Sequence, residues 1–225
     1  MDCRTNYIKY SIFGKFDFLE ANPTNISKMY GIFGKYNFLP NMIQMIQIQH
    51  PQNTITTISR PQFINNDMKC NITFLSERID IEFKEVENFS IAMDYYNEIL
   101  DTFPLEVNRI ALNTGLFINS TTSEERESIR TAFINNNSYP FEEEVFEWNT
   151  RNVARKKCDE INEFVNVCQN VTCDGMANPI QVDIDINTLG ELTENRFKFE
   201  DFSAFFSKAD MWAEEIIENI KGLCK

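Results

Sequence analysis

Histidine is nearly missing from this chain: His50 stands alone among 225 residues. Multi-histidine metal sites are therefore closed to a single copy, and Ser-His-Asp or Cys-His nucleophiles are nearly excluded, since no partner motif stands beside the one histidine. His50 itself ends an alternating segment just before Pro51 and reads as a surface or hydrogen-bonded side chain. Glycine and proline are scarce, seven of each, which excludes low-complexity linkers. The glycines fit neither Walker nor dinucleotide spacing, so kinase, NTPase and Rossmann readings fall away. No Cys-x-x-Cys occurs among the six cysteines. Cys168 and Cys173 are the nearest pair, and the set reads as free thiols acting as small hydrophobes with no structural zinc. No apolar run reaches the ~20 residues that span a bilayer. The opening Met-Asp-Cys-Arg-Thr-Asn lacks the basic start and apolar core of a secretion signal. The expectation is a cytoplasmic protein with no membrane contact, in which Asn-x-Ser/Thr triplets such as those at Asn71 and Asn170 are chance matches.

What is present is apolar and acidic. Phenylalanine alone contributes 20 residues, and 43% of the chain is hydrophobic, enough for a real core. The formal net charge is −13. That balance argues against direct nucleic-acid binding and for solubility or a basic protein partner.

The pattern predicts one order of elements written twice: strand, helix, several strands, closing amphipathic helix. Residues 7–19 alternate, with Tyr10, Ile12, Phe16 and Phe18 on one face, which predicts a half-buried strand. Asn22-Pro23 supplies a helix start, and Ile26, Met29, Tyr30 and Phe33 follow at helical spacing up to Gly34. Residues 42–49, 54–64 and 70–83 read as strands of an antiparallel meander separated by turn clusters at 51–53 and 65–67. Residues 90–103 then form a helical stripe ended by Pro104. The second half repeats the order with a strand at 107–119 and a helix opened by the capping-box pattern Thr122-Ser-Glu-Glu125. A loop at 135–140, strands at 144–155, 163–173 and 179–187, and an amphipathic helix over 196–225 complete it. Residues 149–166 also fit helical spacing, through Val153, Ile161, Phe164 and Val165, and a helix there would break the match between halves. The expectation is an α+β protein of two pseudo-repeated β-α-β(n)-α lobes with mostly antiparallel sheets. The lobes would span residues 1–104 and 105–225, or merge into one continuous domain. The near-copy of residues 12–19 at 32–39 falls on different elements and is assigned to chance.

The run Pro61-Gln-Phe-Ile-Asn-Asn-Asp-Met-Lys69, followed by Phe74-Leu-Ser-Glu-Arg78-Ile-Asp-Ile81 and later Val182-Asp-Ile-Asp-Ile-Asn187 ahead of an aromatic helix, resembles a sporadically distributed family of uncharacterised bacterial cytosolic proteins. That resemblance implies no activity, cofactor or catalytic residue. Its patchy distribution points to antiphage defence, phage counter-defence or toxin–antitoxin settings. The doubled element order is also similar to tandem TATA-binding-protein-like, helix-grip lobes, in which sheets join into a saddle with helices on one side. DNA-binding members of that fold rely on basic faces, which a charge of −13 contradicts.

Two constellations could carry function. Asp183 and Asp185 project from the polar face of an alternating strand about 7 Å apart, a spacing able to hold Mg²⁺ or share acid/base work. The plain alternative is a solvated strand face. Arg151, Arg155, Lys156 and Lys157 form the densest basic cluster, preceded by Phe146 and Trp148. If that segment is a strand, Phe146, Trp148, Ala154 and Lys156 share one face, while Arg151, Arg155 and Lys157 share the other. The cluster could take a phosphate, a nucleotide or an acidic peptide, or balance residues 142–144 and Asp159-Glu160. Arg78 and Arg109 are open to the same two readings. The sequence therefore predicts a non-enzymatic binding or adaptor protein without a resident cofactor or metal. It would dock a protein partner through Trp148, Arg151, Arg155, Lys157, Asp183 and Asp185, and self-association stays open. The alternatives are a small-ligand or nucleotide module using a cavity between sheet and helix, with Arg151 and Arg155 reading phosphate, and a metal-dependent hydrolase or nuclease at Asp183 and Asp185.

Overall fold

The computed structural model describes residues 2–49, 54–84, 89–119, 122–133, 147–175 and 178–223. His50, the turn at 51–53, the loop at 135–140, residues 142–144 and Phe146 lie outside the described residues. The elements in chain order are β1 (Asp2–Gly14), α1 (Pro23–Phe33), β2 (Phe38–Gln49), β3 (Thr54–Asn65), β4 (Cys70–Phe74), β5 (Arg78–Phe83), α2 (Phe89–Thr102), β6 (Val107–Asn119), α3 (Ser123–Phe133), β7 (Glu147–Cys158), β8 (Glu163–Asp174), β9 (Ile180–Thr188) and α4 (Phe199–Gly222). The strands form one nine-stranded sheet in the order β2-β3-β4-β5-β1-β6-β9-β8-β7. Every neighbouring pair runs antiparallel. β1 and β6 lie side by side at the centre, and each also pairs with the last strand before the next long helix, β5 and β9 respectively.

Register turns the alternation of single strands into two faces. One cross-strand row runs Pro40, Phe63, Ile72, Ile81, Tyr10, Leu112, Ile186, Val167 and Ala154 through all nine strands. Most of this row is buried with helix residues in one apolar core: Met29, Ile32 and Phe33 of α1, Tyr96 and Ile99 of α2, Ile129 of α3, and Phe202, Phe205 and Phe206 of α4. All four helices therefore pack on this side. Shifted by one residue, the opposite row reads Asn41, Gln62, Thr73, Asp80, Ser11, Ala111, Asn187, Asn166 and Arg155. Among the described residues none of the four α-helices packs on that polar face, although the short 3-10 turn Asp17–Leu19 reaches its margin, where Asp17 pairs with buried Arg60 at 3.2 Å.

Local chemistry accounts for the helix starts. Asn22 Oδ1 accepts the Asn25 backbone N–H at 2.9 Å ahead of Pro23. In the capping box of α3, the Glu125 N–H donates to Thr122 Oγ1 at 3.1 Å and the Thr122 N–H to Glu125 Oε2 at 2.6 Å. α2 is keyed into the sheet by Tyr96, whose buried hydroxyl donates to the Tyr10 carbonyl at 2.7 Å.

Three sequence readings are refined. The stretch 70–83 is two strands, because Leu75 N–H closes a tight turn on the Arg78 carbonyl at 2.7 Å. β1 stops at Gly14 rather than reaching residue 19: Gly14 lies so close to the next strand's approach that a Cβ would sit 2.1 Å from the Glu106 carbonyl oxygen. From there the chain turns, burying Phe16 and leaving Phe18 in solvent. Residues 149–166 are not a helix but the β7–β8 hairpin, turned through Asn162 at φ 55°. Among the described residues no helix is long and apolar enough to cross a membrane.

Candidate functional site

On the polar face the candidate residues fall into adjacent cross-strand rows. Tyr7, Gly115, Asp183, Asn170 and Arg151 form one row, and Lys9, Asn113, Asp185, Cys168 and Val153 the next. At the inter-strand spacing of a sheet, Arg151 and Asp183 have Cα atoms roughly 10 Å apart with Asn170 between them. The sheet thus brings Asp183, Asp185, Arg151, Arg155 and Lys157 onto one surface, acidic at its centre and basic along the β7 edge. Trp148 does not join them. It pairs with buried Cys173 and packs half-buried against the core on the helix side, because its parity on β7 is opposite to that of Arg151.

The carboxylates are held by their own strand. Gln181 Nε2 donates to Asp183 Oδ2 at 2.9 Å, and Asn187 Nδ2 to Asp185 Oδ2 at 3.0 Å. Across β6, the Tyr7 hydroxyl donates to Asp183 Oδ1 at 3.4 Å, passing over Gly115, where a Cβ would meet the Tyr7 ring at 2.4 Å. Burial, and then the Asp183 charge, push the Tyr7 phenol up to about 12. Among the described residues no group of three or more His, Cys, Asp or Glu side chains is placed to hold a metal ion. The aspartate pair therefore has no third protein donor of those types on the described surface.

Charge balance against residues 142–144 falls outside the described residues, and of Asp159 and Glu160 the latter is engaged elsewhere. Glu160 pairs with Lys208 of α4 at 3.2 Å, not with the cluster. Lys156 faces the helices and lies 4.5 Å from the Trp212 ring centroid. On the polar face, Arg155 Nε donates to Asn166 Oδ1 at a long 3.4 Å, and Lys157 Nζ caps the hairpin by donating to the Asn162 carbonyl at 2.9 Å. Arg151 is exposed. Between them sit two side chains that the sequence reading did not assign to this site: Val153, 49% exposed, and Phe164, 51% exposed. Lys157 lies 5.4 Å from the Phe164 ring centroid. The signal for Val153 was available in its shared parity with Arg151 and Arg155. Phe164 joins them only through the hairpin register.

Two other basic residues are accounted for structurally. Arg78 pairs with Asp80 at 2.9 Å, and the Arg109 guanidinium stacks 4.5 Å from the Phe13 ring centroid. A cavity does lie between sheet and helix, lined by Tyr10, Thr114 and Asp210 among others. Arg151 and Arg155 cannot read a phosphate there, since both project from the opposite side of the sheet. That pairing of cavity with arginines is corrected by strand parity alone. No protein-family model, curated protein or solved structure matches the chain.

Proposed function

We propose that this chain is a non-enzymatic binding protein that docks an acidic protein partner on the helix-free face at the β7–β8 corner. The observation that carries the reading is local: Val153 and Phe164, both about half exposed, are set among Arg151, Arg155 and Lys157. Apolar anchors ringed by cations suit a partner segment with hydrophobic residues between carboxylates. Among the described residues β7 is also an edge strand, so a partner strand has backbone groups to pair with beside the patch. The two-lobe organisation belongs to the same proposal. What supports it is that β1 pairs with β5 and β6 with β9, leaving the β1–β6 ladder as the seam between residues 1–104 and 105–225.

The test is quantitative capture from the native host with the wild-type chain and with the Arg151→Glu/Arg155→Glu double variant. The expected outcome is a stoichiometric acidic partner that the variant loses at least tenfold. Capture of no stoichiometric partner, or equal capture by both chains, refutes the proposal.

A further inference from the structure

The helix side of the sheet holds a different feature. α4 is driven onto the sheet by an apolar stripe that includes Phe202, Phe205, Phe206, Ala209 and Ala213. Asp210 falls at the margin of this stripe, one turn from Phe206 and Ala213, where it lines a cavity of about 170 Å³ under the central strands. The cavity walls are apolar: Ile8 of β1, Phe89 of α2, and Ala213 and Ile217 of α4.

Asp210 is only half satisfied. Its Oδ2 accepts the Tyr10 hydroxyl at 3.2 Å. Its Oδ1 is buried with no hydrogen-bond partner among the described residues. Folded proteins leave few buried acceptors orphaned, and a carboxylate oxygen is among the costliest. Hydrogen bonding inside the fold does not relieve it. Thr114, the nearest hydroxyl from β6, is committed to the Tyr7 carbonyl at 3.0 Å. Among the described residues the only other charged side chain lining the cavity is Glu214, one turn further along α4, and no described lysine, arginine or histidine lines it. An apolar chamber whose charged groups are both carboxylates is complementary to a compact hydrocarbon bearing one positive charge.

We propose that this cavity binds a small apolar ammonium compound, its charged head on Asp210 Oδ1 and its hydrocarbon body against Ile8, Phe89, Ala213 and Ile217. The site lies on the opposite side of the sheet from the docking face and does not depend on it. Binding requires the carboxylate form of Asp210. Burial, with help from Glu214 and against the Tyr10 hydrogen bond, holds that carboxyl up at about 7. These are the titratable groups facing it, from β1 and from its own helix; β6 and α2 bring only Thr114 and Phe89. Affinity therefore rises with pH, by roughly 30-fold between pH 5.5 and 8 where Asp210 alone titrates.

The experiment uses the full chain, with calorimetry and methyl NMR reporting on Ile8 and Ile217. The probes are cyclohexylamine, benzylamine and, as the uncharged control, cyclohexanol. The expected result is saturable shifts at both isoleucines with at least one amine, binding at least tenfold tighter than cyclohexanol, and the stated rise with pH. Asp210→Asn, which keeps shape and the acceptor for Tyr10, should remove the amine preference; Ala213→Leu, which fills the chamber, should remove binding altogether. Equal binding of amine and alcohol, amine binding unchanged in Asp210→Asn, or no saturable shift with either amine overturns the proposal.

Discussion

Replacing Asp210 by asparagine should stabilise the fold, and increasingly so as the pH rises. The Asp210 carboxyl is raised from an ordinary 3.8 to about 7, chiefly because burial disfavours its charge. The folded chain thus binds this proton more tightly than the unfolded chain does. Between the two values the native state carries more protons, so stability is full below about pH 4 and is lost as pH rises through 7. Three pH units at 1.36 kcal/mol each give about 4 kcal/mol as the ceiling for a dry site. Water entering the neighbouring cavity screens the charge, which brings the expected loss to about 2–4 kcal/mol. Asparagine has the same shape, still accepts from Tyr10 and never ionises. Urea denaturation of both proteins at fixed ionic strength from pH 4.5 to 8 isolates the effect of Asp210 and its charge coupling to Glu214, because the remaining carboxylates are common to the two chains. The variant's advantage should be about 1 kcal/mol at pH 4.5 and grow to about 2–4 kcal/mol at pH 8. Parallel curves, or a variant less stable at pH 8, would refute the reasoning.

Two further outcomes follow from single contacts. Asp183→Asn should lower the Tyr7 phenol from about 12 while leaving it above the ordinary 10.0, since burial is the larger cause and the aspartate the smaller; ultraviolet difference titration measures it, and an unmoved midpoint would remove the Tyr7–Asp183 contact. Tyr96→Phe should cost about 1–2 kcal/mol in chemical denaturation, because the buried Tyr96 hydroxyl bridges to the Tyr10 carbonyl at 2.7 Å and the Ile79 carbonyl at 3.2 Å. A loss under a few tenths of a kcal/mol would mean that solvent replaces those bonds.

Local signals in the sequence were legible where they depended on neighbours a few residues apart. Asn22-Pro23 and Thr122–Glu125 marked helix starts, and the alternation of Ile180, Val182, Ile184 and Ile186 marked a half-buried strand, as the burial of all four confirms. What those signals lacked was register. Nothing within 147–158 or 180–188 states that Asn170 will stand between Arg151 and Asp183, since that follows from two hairpin turns and their pairings. Trp148 was grouped with the arginines by proximity in sequence, although strand parity already separates them. Asp210 was hidden for the opposite reason. On a helical stripe dominated by phenylalanine it reads as a marginal polar residue, and only the cavity beside it exposes its unpartnered oxygen.

The basic β7 strand has a second physical explanation, protection of a sheet edge against pairing with other copies. The two edges of this sheet discriminate between the explanations. β2, at the far edge, contains no Asp, Glu, Lys or Arg between Phe38 and Gln49, so charge is not the device that guards edges in this fold in general. β7 carries Arg151, Arg155, Lys156 and Lys157, with Lys156 turned toward Trp212 and the others on the polar face. A guard strand needs only charge of one sign, and glutamate repels a second copy as well as arginine does. A docking strand needs positive charge. Charge reversal at Arg151 and Arg155 therefore separates the two roles: a guard would leave both the variant's self-association and its partner binding unchanged, whereas a docking face would leave self-association unchanged but remove the acidic partner. Sedimentation of the double variant beside the capture experiment reads both consequences from one protein.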